Sequence, residues 1–348
     1  MKTITAALLA LSAMLAASVR PQPAAVSKHG ITAIPGLKVG HHTLAERPTG
    51  CTVILAEAGA TAGVDVRGQA PGTRETDLLA PGNLVEKVHA IFLTGGSAHG
   101  LAVGDGIMRF LEERKIGFAF GGAYVPIVPG AVLFDLPVGG KPLVRPGADC
   151  GYEAARAAAG GAVAEGNVGA GAGATVGKFG GVGRPMKGGI GTASIELPGG
   201  LILAALVAVN AAGDVIDPAT GQVVAGARTA DGRGFVDLRA ALRAGAFAAP
   251  RRGENTTLAV VATNAALTDA QAGRLASMAQ AGLARAISPV HTMVDGDVVF
   301  ALATGSLSAP QDLSVIGALG AEAVADAVLR AVRAAASIPG YPAVRDLK

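Results

Sequence analysis

The chain has 348 residues, half of them hydrophobic, with 29 Lys and Arg against 26 Asp and Glu. This is enough apolar material for one large domain or two ordinary ones. Aromatic residues make up 3% of the chain and Trp is absent, so neither the stacking platform nor the basic stripe needed for nucleic acid is present. The 51 glycines lie among apolar runs without a collagen period, which points to tight turns and closely packed backbone rather than disorder.

At the N-terminus, Lys2 precedes an apolar stretch from Ile4 to Ala17, with small residues at Ala16-Ala17-Ser18 and prolines at 21 and 23. This pattern predicts an export signal over residues 1–18 and a periplasmic or secreted mature protein. The later apolar run from Gly200 to Asn210 is too short to cross a bilayer, and no membrane partner is expected. Cys51 and Cys150 are the two cysteines. They could pair in an oxidising compartment, but nothing in the spacing brings them together, and free buried thiols are the expectation. Neither belongs to a C-x-x-C pair and there is no H-E-x-x-H, so no metal site is expected.

Between Gly36 and Ala60, short β-prone runs such as Cys51–Leu55 alternate with turn residues and predict strands. A strand from Ala90 to Leu93 enters Gly95-Gly96-Ser97 and then a helical pattern from Leu101 to Arg114, a strand-turn-helix unit. Gly95 to His99 nearly matches the nucleophile elbow G-x-S-x-G, but His99 stands where glycine is needed, so a structural turn is expected there. A helix over Tyr152 to Ala159 precedes a glycine-rich stretch, Gly160 to Gly191, read as an ordered loop region near a site. Within it, Gly173 to Lys178 suggests a phosphate loop. The spacing is one residue short, however, and Phe179 replaces the magnesium-binding hydroxyl, so ATP binding is not expected. The runs Leu201 to Val209 and Val215-Ile216, separated by Asn210–Asp214, predict a hairpin.

After an irregular approach through Gly253-Glu254-Asn255, Thr256 to Thr263 is an almost unbroken β-branched and apolar run, the pattern of a strand buried on both faces. Asn255-Thr256-Thr257 is the chain's N-x-T sequon, yet surface glycosylation conflicts with a buried strand. A hydroxyl residue opening such a strand instead suits a latent N-terminal nucleophile. Attack of the Thr256 hydroxyl on the Asn255 carbonyl, then ester hydrolysis, would free an α-amine. With an ordinary pKa of roughly 7.7–8.0, that amine could accept the hydroxyl proton during later turnover. Thr268 and Asp269 then cap a predicted helix reaching Ala286. Asp295-Gly296-Asp297 precedes a strand over Val298 to Ala303, and Leu313 to Ala335 reads as a long Ala-rich helix. The two carboxylates, at i and i+2, share one side if the segment is extended; an ordinary Asp-Gly turn is the competing reading. Strands and helices mix without strict βαβ alternation, so the fold class is α+β.

Together, Leu93 to Leu101, Gly253 to Thr263 and the Asp-Gly-Asp segment, in that order, resemble the L-aminopeptidase/D-esterase family, which includes β-aminopeptidases and nylon-oligomer hydrolases. The likeness covers roughly Gly30 to Ala335. It implies a four-layer αββα sandwich like that of ornithine acetyltransferase, with an α chain of residues 19–255 and a β chain of residues 256–348 produced by autocleavage. It also implies Thr256 as nucleophile, Asp295 and Asp297 as the acidic pair orienting its amine and hydroxyl, Lys178 as an active-site lysine and Asn210 as an oxyanion donor. Serine and glutamate hold the acidic-pair places in the β-aminopeptidases, so this chain stands with the threonine-type members. Phe134, expected to bind substrate, falls where several members have a catalytic-site tyrosine and lacks its hydroxyl. No cofactor is implied. The expected partners are a small peptide or amide substrate and further copies of the cleaved unit, as in a tetramer of αβ units. An acyltransferase of the ornithine acetyltransferase kind and an uncleaved, non-enzymatic scaffold are the alternatives.

Overall fold

The computed structural model describes residues 25–26, 30–246 and 255–347. The export signal expected over residues 1–18 lies outside them. Among the described residues, no helix is long and apolar enough to cross a membrane.

Strand order along the main sheet is Ala25–Val26, Gly189–Glu196, Ile202–Asn210, Thr256–Ala265, Val298–Leu307, Gly50–Val66, Val88–Thr94, Gly130–Val132 and Thr73–Arg74, with Lys38–Thr43 paired to Gly50–Val66. The 17-residue strand Gly50–Val66 joins two halves. Its first part, Gly50–Leu55, pairs with Lys38–Thr43 and Val88–Thr94, whereas Thr61–Val66 pairs with Val298–Ala303. This lets one strand serve two sheets that pack face to face.

Alternation along the strands separates the layers. In Thr256–Ala265, Leu258, Val260 and Ala262 point into the cluster between the two sheets, with Ile54, Ile91 and Phe300. Ala259 and Val261 join the outer cluster with Leu275, Leu283, Ile316 and Val328 of the long helices Asp269–Ala286 and Leu313–Ala334. On the opposite outer face, Val53 and Phe92 pack against Val103, Ile107 and Ala154 of helices Val103–Glu112 and Ala148–Arg156. Period-two patterning on strands sandwiched this way produces helix, sheet, sheet, helix, the expected αββα order.

The helix signals read as expected. Thr268 and Gln271 form a reciprocal capping box, and Asp312 caps the Ala-rich helix by accepting the Ser314 N–H. Glycine sets the spacing between a sheet and its helices and between neighbouring helices. A Cβ on Gly191 would lie 2.3 Å from the Ala327 carbonyl oxygen of the Ala-rich helix, and one on Gly282 would lie 2.2 Å from that of Ala321, so the backbones approach to distances no side chain permits.

Three expectations are corrected. Cys51 and Cys150 are joined as a disulfide, with Cα atoms 6.3 Å apart. Both fall in the cluster between strand Gly50–Val66 and helix Ala148–Arg156, a juxtaposition across 99 residues that spacing alone could not reveal. The helix expected at Tyr152–Ala159 runs from Ala148 to Arg156. The hairpin around Asn210–Asp214 does not form. Strand Ile202–Asn210 pairs with Gly189–Glu196 and Thr256–Ala265, while Asp214–Ile216 enters a small sheet with Val223–Ala225 and Ile287–Ser288. The bend between them is fixed by long-range bonds. Ala212 accepts the Lys178 and Phe179 N–H groups, and Gly213 accepts that of Gly177.

Candidate active site

Three central strands bring their ends to one place. Antiparallel pairing sets Asn210, the last residue of its strand, directly opposite Thr256, the first residue of the next. On the other side, parallel pairing of Leu258 with Val298 carries Asp295 alongside Asn255. Residues 210, 256 and 295–297, far apart in sequence, therefore meet because of register.

At this junction Thr256 is 3% exposed. Its hydroxyl donates to the carbonyl oxygen of Asn255, which sets the hydroxyl oxygen against the peptide bond that precedes it. The same carbonyl oxygen accepts the Gly296 N–H at 3.0 Å. A buried N–H on this oxygen polarises the carbonyl and can stabilise the negative charge that develops there when the hydroxyl attacks, a contribution of about 3 kcal/mol for a donor of this kind. Gly296 must also be small. A Cβ there would lie 2.8 Å from Thr256 Oγ1 and 2.5 Å from the Ala70 carbonyl oxygen. If the Thr256 hydroxyl cuts the Asn255–Thr256 bond, Gly296→Ala should slow that scission at least tenfold, about 1.4 kcal/mol of barrier, with the intact chain followed by mass over time.

Asp295 and Asp297 are each 1% exposed, so the segment is an interior carboxylate pair rather than a surface turn. Asp295 accepts from the Ala212 N–H at 3.1 Å and from the backbone and hydroxyl of Thr292. Burial, and then the neighbouring Asp297 charge, push its carboxyl up from the usual 3.8 to about 6. A raised carboxyl binds more protons in the folded chain than in the unfolded one. Its contribution to stability is therefore complete below pH 3.8 and is lost as pH rises through about 6. In an uncut Thr256→Ala background, Asp295→Asn should flatten the decline of thermal stability across that window. An unchanged slope would leave the decline to other groups, Asp214 first, which burial also pushes up to about 6.

Asp297 accepts the Thr257 N–H at 2.6 Å through Oδ1. Oδ2 faces both the backbone N–H and Nδ1 of His291, at 3.1 and 2.9 Å. The carboxylate thus holds the strand that Thr256 opens, one residue beyond Thr256.

On the Asn210 side, Lys178 Nζ donates to Asn210 Oδ1 at 2.9 Å and to its backbone carbonyl at 3.2 Å. The Thr175 N–H also donates to Oδ1, at 3.0 Å. These donors assign the amide orientation, so Nδ2 points the other way and donates to the Phe134 carbonyl at 3.0 Å. The glycine-rich stretch is ordered as expected, much of it buried between Gly169 and Gly177. Lys187, fully buried, ties it together by donating to the carbonyls of Gly171, Ala174 and Gly188. Burial pulls the Lys187 ammonium down to about 7, yet three carbonyl acceptors are best satisfied by its charged form. Next to Phe134, buried Asp135 pairs with Arg47 at 2.9 Å and accepts from Thr49 and the Gly96 N–H. This anchors the Gly95-Gly96 turn, and Ser97 there has φ 55°.

The structure therefore gathers Thr256, Asn255, Asp295, Asp297, Asn210 and Lys178 in one hydrogen-bonded neighbourhood, with the Phe134 backbone at its edge. Sequence reasoning missed the Gly296 amide, His291, Thr292, Thr175 and Lys187. A backbone donor carries no residue-type signal, and the others are recognisable only once their partners are in place. His291 and Thr292 had the single cue of lying close before the acidic pair.

Comparison with known proteins places the whole chain in one family. The model of peptidase family S58 matches residues 29–345. An uncharacterised aminopeptidase of Mycobacterium tuberculosis is 45% identical, covering 92% of this chain and 98% of its own. A 6-aminohexanoate-oligomer endohydrolase of Kocuria sp. is 32% identical, covering 86% and 84%. Among solved structures, a β-aminopeptidase of Burkholderia sp. superposes with a TM-score of 0.66 at 28% identity, over 90% of this chain and 89% of that one. The L-aminopeptidase D-Ala-esterase/amidase of Ochrobactrum anthropi, described as a variant of the Ntn hydrolase fold, gives 0.66 at 21% identity over 92% and 91%. That last likeness speaks for the fold.

Proposed function

The chain belongs to peptidase family S58, a hydrolase of peptide or amide bonds, and we propose that it is made as a precursor that cuts itself between Asn255 and Thr256. In this reading Thr256 Oγ1 attacks the Asn255 carbonyl carbon, the C–N bond breaks, and the proton lost by the hydroxyl passes to the leaving nitrogen, which becomes the new α-amine. Water then hydrolyses the Asn255–Thr256 ester, leaving a carboxylate on Asn255 and a free hydroxyl on Thr256. The observation that carries the proposal is the Thr256 hydroxyl bonded to the Asn255 carbonyl while the Gly296 N–H holds the same oxygen.

In the mature enzyme, residues 19–255 and 256–348 are the two chains of one domain. The Thr256 amine takes the proton of its own hydroxyl as Oγ1 attacks a substrate carbonyl. The acyl group passes to threonine, the amine product leaves, and water releases the acid. Asn210 Nδ2, directly across from Thr256, is the oxyanion donor for this step once substrate draws it from the Phe134 carbonyl. Lys178 fixes the orientation of that amide. Asp295 and Asp297 supply the negative charge that stabilises the protonated amine. No metal or organic cofactor enters these steps.

The substrate class is short peptides or small amides with a free amine. Cleavage of 6-aminohexanoate oligomers is a property of the relatives so named. Phe134 lacks the hydroxyl donor that a tyrosine would bring at this position. Export to the periplasm and assembly of several αβ units complete the proposal. Intact mass of the purified protein, followed by product release from a panel of aminoacyl amides, tests it. A single uncut chain that releases nothing would overturn it.

A further inference from the structure

His291 stands four residues before Asp295, in the left-handed region at φ 54°. Its backbone N–H and Nδ1 both meet Asp297 Oδ2, while the other carboxylate oxygen takes the Thr257 N–H at 2.6 Å. An ionised carboxylate can only accept, so the imidazole carries a proton on Nδ1, aimed at Asp297. Nε2 is buried without a hydrogen-bond partner among the described residues. The His291 side chain is 17% exposed and that of Asp297 1%. His291 also lines a surface hollow of about 650 Å³ with Arg67, Ser277 and Arg285, so the residue stands between that hollow and the carboxylate.

We propose that His291 is a positioning residue for Asp297, and through it for the strand that begins at Thr256. With Nδ1–H and the backbone N–H both on Oδ2, the carboxylate has one orientation, and Oδ1 is left to the Thr257 N–H. Removing the ring leaves Oδ2 a single donor and opens it to water from the hollow. The carboxylate can then rotate, and its charge no longer has a fixed place beside the nucleophile. Outer partners that orient metal ligands through one such bond change affinity or activity by about 10- to 100-fold, and a loss of that order is expected here. The inference rests on Thr256 being the nucleophile.

The test compares His291→Ala and His291→Asn in the full-length chain, each checked by mass for cleavage, with kcat and KM measured on an aminoacyl amide. His291→Ala should lower kcat by about 10- to 100-fold with KM nearly unchanged. His291→Asn should recover most of it, because the asparagine amide N–H replaces Nδ1–H and asparagine tolerates positive φ. A wild-type kcat in the alanine variant, or an asparagine variant no better than alanine, overturns the proposal. A readout independent of turnover is proton NMR of uncut Thr256→Ala chain with labelled histidine. A downfield, exchange-protected Nδ1–H signal is expected, moving upfield in Asp297→Asn. Its absence likewise overturns the proposal. A wild-type chain that stays uncut and inactive would sink the nucleophile reading and this role together. A cut, active wild type with an indifferent His291→Ala sinks the positioning role alone.

Discussion

Thr256→Ala is expected to leave one uncut chain whose amidase activity falls to background. The hydroxyl bonded to the Asn255 carbonyl is the group that would start the acyl shift, and alanine has no nucleophilic atom to replace it. Turnover fails for a second reason: without scission residue 256 has no free amine to act as base. Stability should change little, because the lost hydroxyl is bonded to its own preceding carbonyl and not to another element of the fold. Thr256→Ser retains both the hydroxyl and the future amine and should therefore still cut. Intact mass separates the outcomes directly. A two-chain Thr256→Ala protein would refute the assignment, since some other group would then be cutting.

The second large effect is expected at Asp297. Asparagine is close in shape, and at an ordinary surface turn the exchange would cost little. Here both carboxylate oxygens accept, one from Thr257 and the other from His291. One end of an asparagine amide must therefore turn a donor toward a donor. Leaving buried groups unpaired this way costs about 1–3 kcal/mol of stability. In the proposed mechanism that carboxylate's charge stabilises the ammonium formed as the hydroxyl is deprotonated, so its loss should lower turnover by about a further hundredfold. The assay must use protein shown by mass to be cut, so that slow maturation is not mistaken for slow turnover. Near-wild-type turnover in cut Asp297→Asn protein would remove the acidic pair from the reaction and leave its role structural.

Local chemistry in the sequence determined a good part of this protein. The run from Thr256 to Thr263 could only be a strand covered on both sides, because its β-branched and apolar side chains leave no polar face. A hydroxyl at the head of such a strand, after an irregular approach, already marked the candidate nucleophile. Thr268 and Asp269 announced a helix start, and the Ala-rich run from Leu313 announced another. Asp295 and Asp297 were legible as a pair, but whether they were a solvated turn or an interior dyad was not, since burial depends on what covers them. Tertiary structure decided that, along with everything set by register. It placed Asn210 opposite Thr256, sent the chain after Asn210 away from the hairpin its turn residues suggested, and brought Cys51 within reach of Cys150 across 99 residues. It also put the Gly296 N–H on the Asn255 carbonyl and His291 on Asp297. The physical reason is the same in each case. Propensity and periodicity act over a few neighbouring residues, whereas backbone donors, carboxylate orientation and strand register are fixed by packing between segments that are remote in the chain.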